Sequence, residues 1–175
     1  VNHILHLASK ESEKIRIRTK PVQVNSLVNQ QVEHFKMKLE EGNGKISTEL
    51  TLEKDEIMAD RDHLANVVSN LIDNALKYAA GEPFVKVSTR KFDDSFEISV
   101  SDNGIGISKE NQTLIFKKLF RVPTGDIHNV KGFGIGLYYV KSVVEAHGGR
   151  IKLKSEPGKG STFTILIPIN QNNKP

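Results

Sequence analysis

Asn66, Asn70, Asp73, Asn74 and Lys77 recur at helical spacing inside the otherwise apolar stretch ANVVSNLIDNALKY. At about 100° per residue they share an arc of roughly 100°, with Tyr78 at its edge. Val67, Val68, Leu71, Ile72, Ala75 and Leu76 cover the core side. Asn and Asp are poor helix-interior residues, because their side chains compete for backbone hydrogen bonds. Solvated helix faces usually carry Glu and Lys instead. An amide-rich stripe closing on a lysine therefore reads as a surface that holds a ligand, with a plain solvated face as the alternative.

Further along, FEISVSD alternates, so Phe96, Ile98, Val100 and Asp102 lie on one face. A carboxylate aimed the same way as core residues is costly unless donors reach it. Asp102 reads as the acceptor for a ligand amino group; a turn aspartate is the plainer option. Gly104 and Gly106 in DNGIGI let backbone approach a ligand closely. In KGFGIGL, Gly132, Gly134 and Gly136 open a helix just behind Lys131. Free N–H groups at a positive helix end suit an anion. The spacing is neither the dinucleotide fingerprint nor a Walker loop, so this motif alone does not separate a phosphate site from a hinge. Between the glycine clusters runs SKENQTLIFKKLFRVPTGDIHNVK. There Phe116, Leu119 and Phe120 are expected to pin the loop, while Arg121 and Lys131 reach a phosphate. A glycine-hinged cationic loop is what a nucleotide lid requires. Together these residues describe an ATP site.

The elements that must position them follow from pattern. Val1, Ile4, Ala8 and Ile15 keep a heptad-like spacing broken by Glu11, so residues 1 to about 18 read as the end of a longer helix. That opening in mid-pattern suggests a fragment of a longer protein. Pro21 breaks the helix and VQV is a short strand. Asn25 is positioned to cap a helix running to about Glu41, followed by the turn EGNGK. KISTEL alternates, with EIMAD expected to pair beside it. The asparagine helix spans Asp60 or Arg61 to about Ala80. FVKVSTR and SFEISVSD form a hairpin through KFDDS. A helix from about Gly134 to His147 ends at a glycine pair. RIKLKSE, PGKG and STFTILIP make a final hairpin. Mixed helices with mostly antiparallel strands imply an α+β sandwich, its sheet covered on one face by helices.

Composition narrows the rest. With 175 residues, 37% hydrophobic and 26% charged, the chain suits one domain with one core. It has no cysteine, which excludes disulfides, zinc–thiolate sites and thiol catalysis. No apolar run approaches the roughly 20 residues that span a bilayer, and nothing at the start resembles a signal peptide. The formal charge of +4 is modest and its basic residues are scattered, so nucleic acid is not an expected partner.

NLIDNALKY, DNGIGI, IFKKLF and KGFGIGL, in that order, resemble the N, G1, F and G2 boxes of two-component sensor histidine kinases. These boxes mark the catalytic, ATP-binding domain of the GHKL superfamily, shared with gyrase, heat-shock chaperones and mismatch-repair ATPases. The resemblance covers about residues 20 to 168. It implies the Bergerat α/β sandwich with an ATP lid, and ATP and Mg²⁺ as cofactors. By this resemblance Asn74 ligates magnesium, Lys77 contacts phosphate, Tyr78 lies near the adenine and Asp102 accepts from its exocyclic amine. Gly104 and Gly106 pass beside the base, and Gly132, Gly134 and Gly136 hold the lid end and phosphates. Thr162, in GSTFTI, matches a threonine that supports the adenine through the aspartate or water. Ile107, Phe120 and Leu137 complete the implied nucleotide-binding set, with Arg121 and Lys131 on the phosphates. Phe133 and Ile135 stand where the family often has a small residue and a leucine, which implies a stiffer hinge.

One position separates branches of that superfamily. Its hydrolysing members carry a glutamate, one turn before the magnesium asparagine, as general base for water. Here the position is Asn70, which takes no proton at neutral pH. The expected chemistry is therefore phosphoryl transfer to another nucleophile. None of His3, His6, His34, His63, His128 and His147 lies in an H-box pattern, so all six read as structural or surface residues. The acceptor histidine is expected on the dimerisation and histidine-phosphotransfer domain of the parent kinase. Residues 1–19 would then be the end of that domain's helix or a linker, 20–169 the catalytic domain and 170–175 a polar tail. Further expectations are a response regulator in the pathway, a homodimeric parent, a monomeric fragment and a cytoplasmic location, with the parent an inner-membrane receptor in many such kinases. The competing readings are an inactive nucleotide-binding regulatory module, a GHKL-type ATPase and an interaction module that binds no nucleotide.

Overall fold

The computed structural model describes residues 15–39, 44–51, 54–122 and 133–169. Among them a five-stranded sheet has the order β2-β4-β5-β7-β6, and a separate two-stranded ribbon pairs β1 with β3. Strand β1 is Lys20–Gln23, β2 Lys45–Glu49, β3 Glu56–Ala59, β4 Phe84–Phe92, β5 Ser95–Asp102, β6 Arg150–Glu156 and β7 Gly160–Pro168. Helices α1 (Val24–Leu39), α2 (Arg61–Lys77) and α3 (Gly136–Ala146) pack on the larger sheet, and a single 3₁₀ turn occupies Leu114–Phe116. β2 runs parallel to β4, and the other pairings are antiparallel. This is the expected α+β sandwich with a mixed, mostly antiparallel sheet.

The core forms where two periodicities meet. Val85 and Val87 of β4, Phe96, Ile98 and Val100 of β5, and Phe163, Ile165 and Ile167 of β7 are buried. α2 buries Leu64, Val67, Val68, Leu71, Ile72 and Ala75, and α3 buries Tyr139, Val140, Val143 and Val144. The spacing of three and four residues gives each helix one apolar stripe for the sheet. The β4–β5 hairpin turns through Asp93 and Asp94, with Asp93 at φ 51°, a left-handed conformation that Asp tolerates better than most residues.

Several expectations need correction. EIMAD does not pair with KISTEL: β3 pairs antiparallel with β1, Val22 opposite Ile57, while β2 takes the edge beside β4. The reason is the start of α1. Asp55, just before β3, caps that helix from a distance: its carbonyl accepts from the Val24 N–H (3.1 Å) and its Oδ2 from the Asn25 N–H (2.7 Å). Asn25 is therefore not the cap. Its side chain donates to the Thr51 carbonyl (2.8 Å) and accepts from the Thr89 hydroxyl (2.7 Å), fastening α1 to the sheet. α2 stops at Lys77, three residues before the expected end. Of the helix expected over residues 1 to about 18, only residues from 15 onward are described, and those carry no helix.

Both site-bearing helices meet at His147. This buried imidazole accepts the Asp60 N–H at Nε2 (2.9 Å), and its Nδ1–H donates to the Val143 carbonyl (2.8 Å). Asp60 is also the N-cap of α2, accepting the His63 N–H (3.2 Å). The end of α3 is thus joined to the beginning of α2 through one neutral ring. Burial pushes this imidazole below its ordinary value, against the opposing pull of the Val143 carbonyl and the Asp60 carboxylate. The unfolded chain then takes up the proton more readily than the folded one. The stabilisation is fully present above the unfolded value of roughly 6.5 and is lost as the pH falls below it. Thermal melts of the wild-type chain are expected to be flat between pH 7 and 8 and to fall from pH 6.5 to 5.5. His147→Asn should flatten that fall, and at pH 7.5 His147→Ala should cost about 3 kcal/mol through a cavity and an orphaned Asp60 N–H.

Candidate functional site

Three elements come together: the amide stripe of α2, the end of β5 and the opening of α3. Gly136 begins α3 directly against the stripe. A Cβ there would lie 2.9 Å from the Asn70 Oδ1, so the absence of a side chain permits the approach. The Asn70 amide donates to the Asn66 carbonyl (2.8 Å). Asn74, half-buried, is one turn further along, and its carbonyl accepts the Tyr78 N–H (3.1 Å). Lys77 is ion-paired with Asp73, both side chains being about two-fifths exposed (39% and 44%). Such a pair is worth at most about 1 kcal/mol, so Lys77 changes partner at little cost.

Asp102 closes the far side. Its Oδ1 accepts the Gly104 N–H (2.8 Å) and the Ser161 N–H (3.0 Å). Among the described residues Oδ2 has no such donor, and no buried side-chain oxygen lacks a partner, so Oδ2 opens to solvent. Burial raises the affinity of this carboxyl for its proton, against the two N–H bonds. The Tyr78 carbonyl accepts the Ile105 N–H (3.0 Å) and Ala79 bridges to Gly104, tying the end of α2 to the loop after β5. Gly106 adopts φ 69°, and a Cβ there would lie only 2.0 Å from the Glu156 carbonyl oxygen, so the loop passes hard against the β6–β7 turn. The Ile107 N–H donates to the Ser155 hydroxyl (2.8 Å).

The base of the expected lid is held by backbone. The Leu119 N–H donates to the Gly134 carbonyl (3.0 Å), which joins the residues leading into and out of residues 123–132. Phe116 meets Phe163 edge-on, and both Phe116 and Phe120 pack against the core, as expected. Leu119 does not pin the loop with its side chain, which is 63% exposed; its positive φ of 63° turns it outward. Leu137 packs against the core beneath the opening of α3, and Arg121 is exposed after Phe120. Lys131 and Gly132 lie outside the described residues.

Thr162 is not brought to Asp102. Its hydroxyl bonds to that of Ser101 (2.9 Å) on the opposite face of the sheet. The residue that reaches Asp102 is its neighbour Ser161, which the sequence reading missed. The signal was available: Phe163, Ile165 and Ile167 face the helices, so alternation places Ser161, not Thr162, on that side. Ser155 was missed as well, and nothing in its local pattern distinguishes it.

The residues fit a nucleotide and a magnesium ion. The open Asp102 oxygen suits an amine, and no side chain caps the first turn of α3, leaving its N–H groups for an anion. Among the described residues there is no cluster of three or more His, Cys, Asp or Glu able to cage a metal alone. One amide oxygen at Asn74 is what a Mg²⁺ ion requires when phosphates and water supply its other ligands. Nor is any described helix long and apolar enough to cross a membrane.

Comparison with known proteins gives the family. The profile of the histidine kinase-, DNA gyrase B- and HSP90-like ATPases matches residues 59–171. The sensor protein RprX of Bacteroides fragilis is 38% identical over 175 residues, which cover 99% of this chain and 34% of RprX. Full-length ShkA, solved in complex with AMPPNP, superposes with a TM-score of 0.78 at 26% identity, over 95% of this chain and 34% of that one. ThkA in complex with the response regulator TrrA has the same fold, with a TM-score of 0.77 at 20% identity over 99% of this chain and 47% of that one. The chain spans about a third of the length of RprX and less than half of the other leading curated relatives. It belongs to the histidine kinase-, DNA gyrase B- and HSP90-like ATPase family, as a catalytic, ATP-binding domain of the sensor-histidine-kinase type.

Proposed function

We propose that this domain binds ATP with Mg²⁺ and presents the γ-phosphoryl group to a histidine of its parent sensor kinase, outside this chain. The observation that carries the reading is Asp102, whose Oδ1 is fixed by two backbone N–H groups while Oδ2 takes no hydrogen bond from any described residue. An oriented, partly buried acceptor at the rim of the core suits the exocyclic amine of adenine, with Tyr78, Gly104, Gly106 and Ile107 around the base. Bound ATP·Mg²⁺ supplies the transferable phosphoryl group and the metal charge that neutralises it. Asn74 offers its amide oxygen to the metal. Lys77 leaves Asp73 for a phosphate oxygen, and the first N–H groups of α3, beside Gly134 and Gly136, hold another. Arg121 and Lys131 add charge from the two ends of the lid. All of these act by position and charge.

Asn70 directs the outcome. Its amide is bonded to the Asn66 carbonyl, and this position, one turn before Asn74, offers no carboxylate to take a proton from water. This supports transfer to an imidazole over hydrolysis. The acceptor histidine would lie on a helical dimerisation domain of a homodimeric, cytoplasm-facing parent, with a response regulator next in the pathway. RprX is named a sensor protein, which supports placing this domain in a sensor kinase.

Calorimetric titration with a non-hydrolysable ATP analogue tests the site. Magnesium should strengthen binding to the wild-type chain. Asn74→Ala should remove that gain while leaving metal-free affinity within about twofold, and in the parent kinase it should lower phosphotransfer about a hundredfold or more. Full phosphotransfer after Asn74→Ala would remove its assigned role. Asp102→Asn separates recognition from stability. The folded carboxyl holds its proton more tightly than the unfolded one, so stability falls as the pH rises through this window above roughly 3.9. Ionised Asp102 is therefore a net cost at neutral pH. The asparagine variant keeps an acceptor for Gly104 and Ser161, and should melt at or above the wild-type temperature at pH 7 while losing analogue binding. A clear drop in melting temperature would mean that the carboxylate is chiefly structural.

A further inference from the structure

We infer that Ser155 is a positioning residue for adenine recognition, its hydroxyl holding together the two segments that aim Asp102. The inference rests on the reading of Asp102 as the adenine acceptor. Strand β6 alternates, with Arg150, Lys152, Lys154 and Glu156 exposed and Ile151, Leu153 and Ser155 turned inward. Ile151 and Leu153 pack against the core. Ser155 is thus the polar member of an apolar row, at the end paired with Ser161 beside Asp102.

Its hydroxyl is fully committed. The Ile107 N–H donates to Ser155 Oγ (2.8 Å), the Ser155 hydroxyl donates to the Gly160 carbonyl (3.0 Å), and the Ser161 hydroxyl lies at 2.9 Å. A serine hydroxyl has one proton and two lone pairs. With its proton on Gly160, both lone pairs accept, one from Ile107 and one from Ser161. Ile107 ends the loop that begins at Asp102, and Ser161 supplies one of the two N–H groups that fix Asp102 Oδ1. A single oxygen therefore joins the far end of the adenine-facing loop to the residue that orients the acceptor. Gln112 braces the same junction, its side-chain amide donating to the carbonyls of Ile107 and Ser155 (3.0 Å each). The Gly158 N–H to the Ile105 carbonyl (2.8 Å) closes it from the turn.

A positioning role through Asp102 has a signature that general damage lacks. It weakens nucleotides that use the 6-amino group and spares those without it. The probes are a non-hydrolysable ATP analogue and its counterpart lacking the 6-amino group, titrated into the whole chain by calorimetry. Ser155→Val and Ser155→Thr share one shape and differ in the hydroxyl. In Ser155→Val the ATP analogue is expected to bind about tenfold more weakly and the deamino analogue less than about twofold more weakly. Ser155→Thr should keep discrimination within about threefold of wild type. Equal losses for both nucleotides in Ser155→Val, or no loss for either, would overturn the inference while leaving the Asp102 reading in place. A wild-type chain that binds both nucleotides equally would instead remove the Asp102 reading, and the role of Ser155 with it.

Discussion

A carboxylate at the end of a buried strand constrains this domain more than any other group. Asp102 follows Phe96, Ile98 and Val100 on the core-facing side of β5, where an ionised oxygen needs donors or water. The fold satisfies one oxygen internally and leaves the other open. To do so, the loop after β5 must turn back at once so that Gly104 reaches the carboxylate, and the β6–β7 turn must come close enough for Ser161 to do the same. That closeness leaves no room for a side chain at Gly106. The end of α2 is drawn in as well, through the Tyr78 carbonyl. Three segments distant in sequence, the end of α2, the end of β5 with its loop and the β6–β7 turn, are therefore gathered around one carboxylate.

The sandwich was legible because its elements obey clean periodicities. The two hairpins are flanked by alternating strands, and α2 and α3 carry well-defined apolar stripes. What was not legible depends on contacts made across space. Asp55 caps α1 from some thirty positions away, and this decides that β3 joins β1 rather than β2. No local pattern announces such a cap. In the site, Asn70, Asn74, Lys77, Asp102 and the glycines stood out because their chemistry conflicts with their local structure. Thr162 matches the motif by residue type, yet the group that meets Asp102 is the backbone N–H of its neighbour Ser161, a contact that residue type does not reveal. Ser155 was invisible, since a serine near a turn is ordinary and its bonds come from two other segments, at Ile107 and at Gly160 with Ser161.

α2 and α3 have opposite tasks at their two ends. At one end His147 and Asp60 lock them together through a buried ring. At the other, Gly136 leaves only the Asn70 amide between them, beside helix N–H groups without a side-chain cap. The rigid end maintains the spacing that the open end needs. The backbone bond from Leu119 to Gly134 adds a closed base, so the chain between them enters and leaves at one fixed point.

Among the described residues the larger sheet has two unpaired edges, and an unpaired edge invites strands from other molecules. β2 is only five residues long and lies parallel to its neighbour, with Lys86 and Glu49 ion-paired across the two strands. β6 is longer, but every second residue from Arg150 to Lys154 is an exposed cation. A second copy approaching either margin would meet too little backbone on one side and a row of like charge on the other. In a dimeric parent, two such domains would be held at high local concentration; the margins of the sheet then act as built-in protection against fusing into a continuous ribbon.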